Sequence, residues 1–557
     1  MYPDYMRESI EMVVRTRPKR LKIARKIGKQ VFPAMSEEER EVVLSNFHPD
    51  YRADARREIQ IGKNKGENIT TKVADMLESY SRIDPDRIDL SKFDMETDVL
   101  VIGAGSAGLS AALTASGEGA SVLIATKLRL GDSNSMMAQG GIQAADQPDD
   151  NPAIHYLDVL GGGHFDNKPD LVEALVNDAP LSIKWLEELG VMFDKTETGS
   201  MSVAAGGGTS RMRMHSARDY TGAAICRVLR DEVYNRPDKI KYVEYTAIIE
   251  LILDNKGQAI GAVAYHLENR QYSIIKAKSI VIATGGFGRL HIQNFETTNH
   301  YGATADGLAI AYRAGAPLLY MDSVQYHPTG AVFPEQIVGF LCTEKIRGLG
   351  AQPVNRNGEL FVYPLEPRDV EAASFIREST ERNLGIKTPS GLVGIWLDSP
   401  LIEELSGEGT IEHALPAMLR QFDRFDIDIR KYPMLVYPTL HYQNGGIDIN
   451  EKAETVIPGL YVAGEASGGV HGRNRLMGNS QLDIIVFGRR AGIHSAERVK
   501  AGVKFGEPSL EHVRKYNEEA KALGIDRHKV SPVVLPDYIP DHVKAKQLTA
   551  TYEGTLI

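Results

Sequence analysis

The sequence predicts an α/β fold with a second unit inserted into it and a charged, mainly helical extension in front. Three observations carry that prediction. A strand-like run, "TDVLVI", passes directly into "GAGSAG" and then into an alanine-rich helical stretch. A second apolar run, "KSIVIATGGFG", also ends in glycines. A third, "GLYVAGEASGG", repeats the pattern after a long stretch with several prolines and charged turns. Buried strands that alternate with helices point to a parallel sheet, and the late return of the pattern points to an insertion.

Bulk properties narrow the function. A chain of 557 residues has room for two or three domains. Its net charge of −10 gives no basis for nucleic-acid binding. Only Cys226 and Cys342 are present, which excludes a disulfide framework and a cysteine-ligated iron–sulfur cluster within this chain. No metal site is expected. The first residues lack the apolar core of a secretory signal, and no stretch has the length of a membrane span. A reducing cytosol is the expected compartment, with contact to the inner face of the cell membrane only through partner subunits.

Residues 1–93 make the extension. Its start is basic, with Arg7, Arg15, Arg17, Lys19, Arg20, Lys22, Arg25, Lys26 and Lys29 against Asp4, Glu8 and Glu11. Ile10, Val13, Val14, Leu21, Ile23, Ala24 and Ile27 fit helical spacing, interrupted by Pro18. A solvated basic helix pair packed on the body is expected; the alternatives are a membrane-surface role or docking on a partner subunit.

Next comes the nucleotide site. Gly103, Gly105 and Gly108 form G-x-G-x-x-G between strand and helix, with Ser106 and Ala107 at the helix start. The first glycine permits the turn, the second admits a pyrophosphate and the third lets helix and strand pack. The following strand ends in Thr126 and Lys127 where a nicotinamide-type site has an acidic residue. Thr284, Gly285 and Gly286, and later Gly464 and Glu465, close two more strands. Three glycine-terminated strands in this order point to FAD. The expected fold is a Rossmann-type FAD-binding domain over 94–320 and 437–500, an inserted α+β capping domain over 321–436, and a short C-terminal helix and tail over 501–557.

Arginine, histidine and glutamate then concentrate in "QYHPTG", "CTEKIRG", "EPRD", "TLHYQNGG" and "HGRNRLMGNS". With "SMMAQGGI", "ATADG" and "GLYVAGE", these motifs resemble, in order, the flavoprotein subunit of the fumarate reductase/succinate dehydrogenase family. The resemblance runs from about residue 97 to about 497. It implies that His327, Thr343, His441 and Arg475 hold the carboxylates of a C4 dicarboxylate. It also implies that Arg368 donates a proton, which Glu344 and Arg347 resupply. FAD would lie against Ser133, Ser135, Ala138, Gly140 and Gly141, with Asp306, Asn479, Ser480 and Leu482 also in contact. Bidentate guanidinium groups suit carboxylates, but arginine is an unusual acid, with a solution pKa above about 12. Glu344-x-x-Arg347 would share one side of a turn if that segment is helical.

Two departures bear on the reaction. Family members that bind FAD covalently use a histidine where this chain has Asn134, so the resemblance implies noncovalent FAD and favours fumarate reduction. Many members carry glutamate where Leu349 stands. With no cluster of its own, the chain is expected to take electrons from an iron–sulfur partner subunit. The alternatives are an L-aspartate oxidase-like enzyme, a reductase of another enoic acid, and a non-catalytic electron-transfer flavoprotein.

Overall fold

A computed structural model describes residues 1–28 and 31–538 of the chain. Its centre is a sheet in which the strands Leu460–Val462, Tyr272–Ile282, Met95–Ile102, Val122–Ala125 and Ile240–Val243 run parallel. The strand Tyr272–Ile282 is also the last of an antiparallel meander with Thr246–Asp254 and Ala259–His266. Val99–Ile102 and Val122–Ala125 are buried throughout, as a sheet covered on both faces requires. The helices Ser106–Gly117 and Asn479–Lys500 pack on each other and on this sheet.

The glycine turn is built as the sequence demands. Gly103 has φ +106°, and a Cβ there would stand 2.3 Å from the Ala283 carbonyl oxygen. A Cβ on Gly108 would stand 2.0 Å from the Gly103 carbonyl oxygen, so no larger residue lets the helix sit on its strand.

The inserted unit is organised on a five-stranded antiparallel sheet containing Val324–Phe333, Met434–Gln443, Val393–Asp398 and Gln352–Val354, with Ile386–Lys387 at its side. The strand Met434–Gln443 leads back to the body built on the central sheet and pairs with the strand that left it. The helix Arg368–Ser379 packs across Val324–Phe333.

The extension joins both bodies. Its helix Arg7–Ile27 runs unbroken through Pro18, so the expected interruption does not occur. The carbonyl that loses its donor belongs to Val14, whose side chain is 47% exposed, so water can replace the lost bond. Tyr2, Met6, Ile10 and Val13 share one apolar cluster with Phe375, Trp396 and Phe422 of the inserted unit. Two of the basic residues expected in solvent are buried instead. Arg17 and Arg20 each reach a different oxygen of the fully buried Asp398 at 2.8 Å. Further on, Ile59, Ile61, Ile69 and Val73 belong to the other core, with the central strands. Among the described residues, no helix is long and apolar enough to cross a membrane.

Candidate active site

A cleft opens at the glycine turn and runs along the carboxyl ends of the central strands to His441 and Tyr442. Gly103, Gly105, Ala107, Thr126, Lys127 and Asp306 line one part. Ser133, Ser135, Ala138, Thr284, Gly285, Glu465 and Ser480 line the rest. Lys127 does not hang free there: its ammonium holds Asp306, Thr304 and the Val534 carbonyl, each at 2.6 Å. Two features fit a bound FAD. The N-terminus of Ser106–Gly117 faces the cleft, as a pyrophosphate requires. The buried side-chain oxygens of Gln139 and Gln481, both lining residues, have no partner among the described residues.

Several residues expected at the cofactor stand behind this wall. Ser106, Gly108 and Leu482 are packed into the interior, with Leu482 fully buried in the main core. Gly141 backs onto Met214 and His215, and Asn479 Oδ1 meets His155 Nε2 at 3.2 Å. Gly140 lies beside Met477, and a Cβ on it would be 3.9 Å from Thr343 Oγ1. The "AQGG" and "TEKIRG" segments therefore meet. Asn134 is held on both sides of its amide. Its Oδ1 accepts from the His300 backbone N–H at 2.8 Å, and its Nδ2 donates to Asn299 Oδ1 at 3.0 Å and toward Glu465 at 3.4 Å. Burial pushes the Glu465 carboxyl up to about 7, against the donors from Gln443 and Asn134.

At the far end of the cleft the structure gathers the predicted ionic residues. Arg368 opens the helix Arg368–Ser379 and its Nε donates to Glu344 Oε2 at 2.8 Å. The other Glu344 oxygen accepts the Gly207 N–H at 2.8 Å. Lys345–Gly348 forms one helical turn, which brings Arg347 Nη2 to 3.6 Å from Glu344 Oε2. Arg475 stands 4.5 Å above the Tyr442 ring and donates to Gln325 Oε1 at 2.8 Å. The same oxygen accepts from Arg368 Nη1 at 3.0 Å. The rings of His327 and His441 lie 5.0 Å apart. Thr329 contacts His327 Nδ1 at 3.2 Å, and Thr298 contacts His441 Nδ1 at 2.7 Å, which leaves both Nε2 atoms for a ligand.

This burial changes the acid–base chemistry. Desolvation holds the Arg368 guanidinium below its usual range, against the pull of Glu344. Its place at a helix N-terminus disfavours the cation further. Burial and the neighbouring Arg368 charge bring Arg475 down to about 9. Burial would raise Glu344, but the charges of Arg368 and Arg347 outweigh it and keep the carboxyl below its ordinary range. Both histidines are driven well below theirs, first by burial and then by the arginines, and so are neutral. The arrangement can bind a dianion and deliver a proton from nitrogen.

Sequence reasoning missed Gln325, Thr298 and the Gly207 amide. Gln325 was findable: it lies two residues before His327 on one strand, hence on the same face. Thr298 and Gly207 sit in irregular segments with no periodic signal.

A family model described as "FAD binding domain" matches residues 98–481. A fumarate reductase (CoM/CoB) chain of Methanothermobacter marburgensis is 38% identical over 434 residues, 76% of each chain. The L-aspartate oxidase of Streptomyces coelicolor is 34% identical over 433 residues, 74% of this chain and 72% of its own. A solved structure of E. coli quinol fumarate reductase matches with a TM-score of 0.69 at 29% identity, over 77% of this chain and 74% of that one. The chain belongs to the FAD-dependent fumarate reductase/succinate dehydrogenase flavoprotein family.

Proposed function

We propose that this flavoprotein reduces fumarate to succinate, with FAD held noncovalently and electrons delivered by an iron–sulfur partner subunit. The observation that carries this reading is the buried Arg368–Glu344–Arg347 set beside Arg475, His327 and His441. Arg475 and the two histidines bind the carboxylates. FAD, when bound and reduced, would supply the hydride. Arg368 gives a proton to the neighbouring carbon, and Glu344 passes a replacement from Arg347. Arginine can do this here because burial and the helix N-terminus weaken its hold on the proton.

The amide of Asn134 cannot form the histidyl bond, and its hydrogen bonds fix it in place. After acid precipitation, the yellow colour should therefore stay in the supernatant. A coloured pellet would sink the noncovalent assignment.

The decisive experiment adds fumarate anaerobically to the dithionite-reduced protein and follows flavin absorbance. Reoxidation with one succinate formed per flavin is expected. Arg368→Ala should slow it by about 10²- to 10⁴-fold while FAD stays bound. A wild-type protein inert to fumarate would remove the proposal. The similarity to an L-aspartate oxidase supports a second reading, oxidation of L-aspartate. In that case L-aspartate reduces the oxidised flavin, and iminoaspartate appears.

A further inference from the structure

Behind Arg347 the line of buried ionisable groups continues. Glu371 stands three residues into the helix that Arg368 opens, and it is fully buried. Its Oε2 meets Arg347 Nη1, which also donates to the Pro364 carbonyl at 2.7 Å. Among the described residues its Oε1 has no hydrogen-bond partner. Glu366 lies on the loop before that helix, 1% exposed, close enough for its charge to act on Glu371. One Glu366 oxygen accepts the Met35 N–H at 2.7 Å, and the other accepts from Arg40 at 2.8 Å. The Arg40 side chain is 36% exposed and belongs to the extension helix Glu37–Phe47, which packs on Arg368–Ser379. Charged groups thus lead from the proposed acid to the surface of the N-terminal segment.

We propose that Glu371 is the proton store behind Arg347, refilled from solvent along Glu366 and Arg40. The inference rests on the fumarate reductase reading. In one turnover, hydride reaches one alkene carbon and Arg368 gives its proton to the other. Glu344 moves a proton from Arg347 to Arg368, and Glu371 gives its carboxyl proton to Arg347. Glu371 is left as a carboxylate, and one proton from water restores it. The electron pair comes from reduced FAD, reduced in turn by the external donor, so nothing else is consumed.

Two features suit Glu371 to this task. A buried carboxyl with an unpartnered oxygen favours its neutral form. Desolvation holds it well above the usual carboxylate range, helped by the charges of Glu344 and Glu366 and opposed by those of Arg347 and Arg368. A fixed counter-ion for Arg347 would instead be ionised throughout. As a store, Glu371 acts only while protonated, so kcat should fall as pH rises through its titration.

The test uses the FAD-loaded full chain and steady-state fumarate reduction in H₂O and D₂O. Glu371→Gln keeps an acceptor for Arg347 but cannot release a proton. It should lower kcat by about 10²-fold, leave KM within about twofold, enlarge the solvent isotope effect and abolish the alkaline limb of kcat. An unchanged kcat and isotope effect, or a change confined to KM and stability, would overturn the inference. Glu366→Gln leaves the Arg347–Glu371 pair intact and covers the case in which Glu371→Gln does not fold. It should show a smaller fall in kcat with the same enlarged isotope effect, and unchanged values for it would also overturn the inference. If wild-type protein fails to reduce fumarate, the reductase reading falls, and this inference with it.

Discussion

Gln325 is a neutral residue between two cations, and that neutrality matters. Its single oxygen accepts from both Arg368 and Arg475 and so holds like charges side by side without cancelling either. A carboxylate there would satisfy the arginines and compete with a dianionic substrate. Arg368 also has the Glu344 carboxylate beside it, whereas Arg475 meets the neutral Gln325, which makes Arg475 the group whose titration should govern binding. Its folded-state value of about 9 means that it is a cation below that pH and neutral above it. The Kd for succinate, followed by the flavin difference spectrum, should be flat below pH 9 and rise about tenfold per unit above it. A flat response to pH 10 would remove Arg475 from carboxylate binding. His327, Thr343, Glu344, Arg347, Arg368, His441 and Arg475 could be named as candidates because each lies in a short motif that carries the family resemblance. Glu371 was not, since its meaning comes from Arg347, 24 residues away in sequence and joined only by the fold.

Among the elements, the strand–turn–helix around Gly103 was readable because every constraint on it is local. The helix Arg7–Ile27 was readable as a helix but not as a partner. Its apolar spacing gave the buried stripe of Ile10, Val13 and Ala24. Nothing in that spacing could tell Arg17 and Arg20 from their solvated neighbours, because Asp398 lies more than 370 residues away. That buried carboxylate sits between two guanidinium groups, with a longer contact of Arg17 to Glu404 at 3.4 Å beside it. Asp398→Asn keeps the shape and removes the charge, leaving two buried cations poorly matched. A loss of about 3–5 kcal/mol is expected, seen as a lower thermal midpoint. The exposed Arg7–Asp4 pair should be dispensable by the same measurement.

At the scale of the molecule, the proposed site is shut. His327, Arg475 and Arg368 are 1%, 2% and 7% exposed, so the inserted unit is expected to move when substrate enters. The bond from the Gly207 amide to Glu344 crosses from one body to the other and must break when it does. The Gly207 amide should therefore report opening by hydrogen exchange. Succinate at about 100 times its Kd should slow that exchange about 100-fold if it binds the closed form alone.

How the unit moves is constrained by where the chain crosses. Asp50 accepts the backbone N–H of Val324 at 2.9 Å, at the start of the strand that enters the inserted unit. The returning strand Met434–Gln443 lies alongside that strand, and from Ile59 onward the extension belongs to the core of the other body. Three passages of the polypeptide are thus gathered along one edge, as pins on one side of a door. That placement favours a swing about this edge over a slide. An opening about that edge would carry Arg368 and Glu344 along an arc and return them to the same place over the cleft, so the proposed acid would re-register with its substrate without a search.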